Sequence, residues 1–257
     1  MNRKSETEAF WDLVNHFEDY LDSGIAKEHE PFVFAKIERD QAEALGQWEK
    51  EPLLETSVAE YRELSPREKH NEWTVCSDGM KNCMLCALSR FRTAVVPGLS
   101  AQRFDLLVVG DFPSDEEDRT GKTGSGAGFG YLTKWLASVG LTPGKETAVT
   151  SVLKCHPESE HAVSSQAAEA CRPYLEHQIA VASPKAILAT GDLFARYFLK
   201  TAAPVSAVRG QLYAYKEIPV IVTYSPQTVL DDPGLRRPVW EDLKMLRRVL
   251  ENRQIRE

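Results

Sequence analysis

From about Trp73 onward, the apolar residues of this chain fall into short unbroken runs separated by amphipathic stretches. Phe104–Val109 is one such run, Phe-Asp-Leu-Leu-Val-Val closed by Gly110; Ala148–Leu153, Ala186–Thr190 and Pro219–Thr223 are three more. A strand that is apolar on both sides needs cover on both faces, which a parallel sheet flanked by helices provides. Between the runs, Tyr131–Val139, Gln166–Val181 and Leu193–Leu199 carry helical spacing, and a last helix aligns Val239, Leu243, Leu246 and Leu250 on one face. This alternation predicts a three-layer α/β/α domain over residues 75–257, built on a four-stranded parallel sheet. Ligands in such sheets bind beyond the carboxyl ends of the strands. Chemistry is therefore expected at residues 110–128, 150–157, 191–192 and 224–233.

Residues 1–74 follow another pattern. Phe10, Leu13, Val14, Phe17, Tyr20 and Leu21 recur at three- and four-residue steps, and a second helical stretch runs from about Asp40 to Leu64, broken at Pro52 and expected to end at Ser65-Pro66. The prediction is an acidic helical extension whose apolar stripe either packs on its own domain or docks a protein partner. Charge sharpens the division. The extension holds 9 basic and 18 acidic residues, a net of −9, whereas the remainder holds 22 and 20, a net of +2. The overall −7 would argue against nucleic acid, which is bound through cations that displace counterions, but it hides this asymmetry. No apolar run approaches the length that crosses a bilayer, so a soluble, cytoplasmic protein without membrane contact is expected.

Four of the five cysteines form a pattern. Cys83 and Cys86 make a C-x-x-C, and Cys155 and Cys171, each followed closely by proline, form a second pair. Two thiolates at C-x-x-C spacing can reach one metal centre across a tight turn, while unliganded cysteines behave as small hydrophobes. The second pair favours the metal reading, and Cys76 is the spare.

Three strand ends carry unusual residues: Gly-Asp-Phe-Pro-Ser-Asp-Glu-Glu-Asp-Arg-Thr-Gly-Lys (110–122) with glycines at 124, 126, 128 and 130; Thr-Ser-Val-Leu-Lys-Cys-His-Pro (150–157); and Val-Thr-Tyr-Ser-Pro-Gln-Thr-Val-Leu-Asp-Asp-Pro (222–233). In this order, with the four cysteines, Arg209-Gly210 and the Trp240-Glu-Asp-Leu-Lys tail, the chain from about 80 to 250 resembles the iron–sulfur uracil-DNA glycosylases, family 4. The resemblance implies a 4Fe–4S cluster on Cys83, Cys86, Cys155 and Cys171, with tetrahedral zinc as the alternative. It also implies an enzyme that brings a base out of DNA before cleaving its glycosidic bond.

Residue by residue the family pattern is only partly kept. The family acid, a glutamate, corresponds to Asp111 beside Gly110 and Phe112, where an Asx-type loop cap is the competing reading. The family's base-stacking ring is replaced by Thr123, Gly124, Ser125 and Gly126, with Phe129 five residues on. The uracil-reading asparagine is Ser151, and the His-Pro-Ser motif is Ser225-Pro226-Gln227. His156 and His161 are expected to be surface-loop histidines. Val229 and Leu230 correspond to the wedge that enters the duplex, and Arg209, Arg236 and Arg237 are candidates for phosphate contacts. Two functions remain in view: a DNA glycosylase with a diverged pocket acting on a damaged or deaminated base, or a catalytically inactive DNA- or protein-binding scaffold.

Overall fold

The computed structural model describes residues 64–158, 163–201 and 203–254. The apolar stripes expected near residues 10–21 and 40–63, and His161, lie outside the described residues. Helix α1, Pro66–Met80, opens on a reciprocal cap. Ser65 Oγ accepts from the Glu68 N–H at 3.4 Å, and the Glu68 carboxylate accepts from the Ser65 N–H at 2.8 Å. Ser65-Pro66, read as the end of a helix, therefore begins one: proline at the first helical position and glutamate two residues later are start signals.

The five strands are β1 (Leu106–Gly110), β2 (Thr147–Ser151), β3 (Ala186–Thr190), β4 (Leu212–Tyr215) and β5 (Ile218–Thr223). Their order is β2-β1-β3-β5-β4, with β2, β1, β3 and β5 parallel and β4 antiparallel at the edge. Helices follow as α2 (Asp115–Thr120), α3 (Ala127–Ser138), α4 (Ser165–Ala182), α5 (Leu193–Tyr197), α6 (Val205–Val208), α7 (Pro226–Asp231) and α8 (Arg236–Gln254).

Alternation along the strands divides the interior in two. Leu107, Val109, Ile187, Ala189, Val220 and Val222 face one core, shared with Trp73 and Met80 of α1, Leu175 and Ile179 of α4 and Phe194 of α5. Leu106, Val108, Ala186, Leu188 and Ile221 face the other, shared with Leu132 and Leu136 of α3, Val229 of α7 and the Val239, Leu243, Leu246, Leu250 face of α8. The three expected layers are present. The four parallel strands are those read from the apolar runs; β4 adds an edge strand whose Leu212 and Ala214 are exposed.

Register brings the strand ends together. Gly110 pairs with Ser151 and with Thr190, and Thr190 pairs with Thr223, so four loops emerge side by side from one edge of the sheet.

Candidate functional site

Those loops enclose a cavity of about 990 Å³. Asp111, Phe112, Phe129, Ser151, His156, Asp192, Tyr224, Ser225 and Gln227 are among its walls.

Asp111 follows β1 directly and reaches across to the end of β3. Its Oδ2 accepts from the Asp192 N–H at 3.0 Å and its Oδ1 from the Leu193 N–H at 2.8 Å. Gly191 makes this approach feasible: its φ is +114°, and a Cβ there would lie 2.2 Å from Asp111 Oδ2. The carboxylate is thus held in one orientation by two backbone donors. The carboxylate caps the loop after β3 through these amides, and it also forms part of the cavity wall.

The Glu-Asp-Arg-Thr-Gly stretch is scaffolding for the loop above. Glu117 caps α2 reciprocally with Ser114 and also accepts the Gly124 N–H at 2.9 Å. Buried Asp118 accepts from the Thr93 and Ala94 N–H groups at 2.8 and 3.3 Å. Gly121 ends the helix in the left-handed region at φ +66°. Beyond it the glycine loop is compact, and the Phe129 ring fills its space: a Cβ at Gly124 would sit 3.4 Å from Phe129 Cε1 and Cζ. Phe129, in the first turn of α3, thus packs against the glycine loop and lines the cavity.

Ser151 is buried, and its hydroxyl donates to the Leu153 carbonyl, so it offers the cavity acceptor lone pairs only. Ser225 is the N-cap of α7: its Oγ accepts from the Thr228 N–H at 3.1 Å and pairs with Thr228 Oγ1 at 2.7 Å. Gln227 donates to Asp231 Oδ1 at 2.9 Å, and its Oε1 lies 3.8 Å from where a Cβ would stand on Gly128.

His156, read as a surface-loop histidine, is half-buried in the cavity wall instead. Its Nδ1 lies 2.7 Å from the Pro113 carbonyl, its Nε2 2.9 Å from Asp115 Oδ1, and its ring meets Phe112 edge-on at 6.0 Å. Nothing among its chain neighbours marks this placement, because its partners sit some forty residues upstream. Asp192 and Tyr224, within the loops where chemistry was expected, also line the cavity; Arg196, outside those loops, joins them and is the one arginine or lysine on the wall among the described residues.

The predicted DNA-contact residues separate. Val229 is 0% exposed and packs in the second core, whereas Leu230 beside it is only partly covered. A side chain locked in the core has no freedom to enter a duplex, which removes Val229 from the expected wedge pair. Arg209 turns inward: its guanidinium grips Asp242 at 2.8 and 3.0 Å and donates to the Pro238 carbonyl. A guanidinium spent on a buried carboxylate is not offered to phosphate. Arg236 and Arg237 remain exposed at the start of α8.

Cys155 and Cys171 are buried, and Cys83 and Cys86 are partly so. Charge interactions link Cys155 to Cys171 and Cys86, and Cys171 to Cys86 and Cys83. Burial pushes the Cys155 thiol up to about 11, against the pull of Arg92, and raises Cys171 against the pull of Lys154. Among the described residues, no three His, Cys, Asp or Glu side chains close up as a ready ligand set for one ion. Nor is any described helix long and apolar enough to cross a membrane.

The Uracil DNA glycosylase superfamily matches residues 97–244, a span that takes in all five strands and leaves Cys83 and Cys86 upstream. The chain is also similar to a protein of Pyrobaculum aerophilum named "Type-4 uracil-DNA glycosylase", 32% identical over 65% of this chain and 88% of that protein. Proteins of the same name from Sulfurisphaera tokodaii (32%, over 65% of this chain and 79% of the relative) and Archaeoglobus fulgidus (31%, over 64% and 86%) are comparably similar.

Proposed function

The chain belongs to the uracil-DNA glycosylase superfamily, and from that membership we propose that it is a DNA glycosylase hydrolysing the N-glycosidic bond of a deaminated or otherwise altered base in the cavity at the strand ends. The observation that carries the reading is the amide-clamped Asp111 on the wall of a cavity with ample room for a base, which the Phe129 ring also lines. As the glycosidic bond breaks, positive charge develops on the sugar and negative charge on the departing base. A carboxylate that cannot rotate away stabilises the first charge without reorganising, and it orients the water that adds to the sugar carbon. Phe129 stacks on the flipped base. Ser225 at the family histidine's position, Ser151 at the asparagine's and the Gln227 amide are the hydrogen-bonding groups at its edge. Leu230 fills the gap left in the duplex, and Arg236, Arg237 and Arg196 lie where phosphates pass.

We further propose a 4Fe–4S cluster on Cys83, Cys86, Cys155 and Cys171. The fit rests on four soft donors linked by charge interactions through Cys155 and Cys171, with Arg92 Nη1 3.3 Å from Cys155 Sγ. When bound, the cluster supplies a cross-link between the segment before β1 and those after β2. Zinc in place of iron on elemental analysis would replace the cluster by a single ion.

The test is incubation of purified, metal-loaded protein with duplex and single-stranded oligonucleotides carrying uracil, hypoxanthine, xanthine or an alkylated base, followed by strand scission at abasic sites. Scission at one of these bases, lost in Asp111→Asn with the fold intact, is expected. No scission on any substrate, together with salt-sensitive binding to the same DNA, would establish the scaffold reading in its place.

A further inference from the structure

Lys154 has an unusual environment for a lysine. It is 2% exposed, and it sits between the second strand and the thiols. Its ammonium donates to Thr150 Oγ1 at 2.7 Å and to the Ser151 carbonyl, both neutral acceptors. Among the described residues no carboxylate pairs with it; the ionisable groups that act on it are Cys171, Cys76 and Cys155. Arg92 is the second case. Its guanidinium donates to Cys155 Sγ at 3.3 Å and to the Cys83 carbonyl, and it too has no carboxylate partner among the described residues. Guanidinium does not shed its proton in proteins, so this positive charge is permanent.

Buried cations need anions, because desolvation without compensation costs several kcal/mol per ion. Around the Lys154 ammonium the ionisable groups that can be negative are sulfurs, and the Arg92 guanidinium donates to one of them. Four thiolates around a core of charge two-plus make a dianion, whether that core is a 4Fe–4S cluster or a zinc ion, and two cations cancel it. We infer that Lys154 and Arg92 are the matched counter-cations of the four-cysteine site: Arg92 on Cys155 and Cys83, Lys154 beside Cys171 and bonded to the end of β2. The inference rests on the metal reading of the cysteines and adds to it the residues that set the site's charge. Because Lys154 also bonds Thr150 and Ser151 on the cavity wall, the same ammonium ties the thiolate site to the pocket.

The full-length protein, loaded with metal, is compared with Lys154→Met, Arg92→Met and the conservative Lys154→Arg, each checked for folding by circular dichroism. The readouts are iron and zinc content, the rate of metal loss to a chelator, and the midpoint potential of any iron cluster. Removing a charge that supports the ligands should weaken metal retention ~10–100-fold and move the potential of a cluster to more negative values, with Lys154→Arg recovering much of both. Folded Met variants that retain metal and potential as wild type does would overturn the inference while leaving the metal centre standing. A wild-type chain that holds neither iron nor zinc would overturn both together. If Lys154→Met fails to fold, Arg92→Met, whose side chain is only partly buried, decides the matter alone.

Discussion

Asp111 occupies its place because position 191 has no side chain. The Gly191 φ of +114° and the 2.2 Å approach mean that a methyl group there meets both an unfavourable backbone conformation and a carboxylate. The backbone alone costs about 1–2 kcal/mol for a non-glycine residue held on the left-handed side, and the collision pushes Asp111 off the Asp192 and Leu193 amides. Gly191→Ala should therefore lower the urea midpoint by more than the backbone cost alone and remove any base-excision activity in the fraction that stays folded. A variant with wild-type midpoint and activity would contradict the clamp. This contact was not legible in the sequence. A carboxylate after a buried strand reads equally as a cap or an acid, and its partners lie 81 and 82 residues downstream. His156 was illegible for the same reason, its partners lying some forty residues upstream.

At the scale of elements, what was legible was whatever packing repeats. The parallel strands are buried on both faces, so their sequences read as apolar runs, and Ala186–Thr190 matches its predicted bounds. α4 and α8 were readable from their apolar faces. Strand β4 was not, since two of its four residues are exposed at the sheet edge. Helices α2 and α7, of six residues each, are held by their caps more than by periodicity. α7 also separates two neighbours that the sequence treats alike: Val229 enters the second core and Leu230 does not. Val229→Ala should destabilise the fold by about 1–3 kcal/mol, the scale of a lost buried methyl pair. Leu230→Ala should leave the denaturation midpoint in place and weaken binding to DNA carrying a flipped-out abasic analogue. Equal effects of the two on stability would contradict this division.

Across the whole molecule, charge is allotted between structure and DNA. Asp242 is 0% exposed; burial raises its carboxyl, while Thr223 and Arg209 pull it back. Arg209→Met leaves that carboxylate without its cation and should cost about 3–5 kcal/mol, as broken buried pairs do. The exposed Arg236 and Arg237 should instead act on binding alone. Their joint replacement by alanine should leave thermal stability unchanged and flatten the salt dependence of DNA affinity, by about one counterion for each phosphate that is no longer neutralised. An unchanged salt slope would remove these arginines from the interface. The central claim, that the cavity at the ends of β1, β2, β3 and β5 excises a base from DNA, is tested most directly by mass spectrometry of the free base after metal-loaded protein meets DNA with a single altered residue. The account predicts stoichiometric release of one such base and an abasic site left in the strand, both dependent on Asp111. Intact DNA with every base on the panel, under conditions where the protein is folded, metal-loaded and bound, would contradict it.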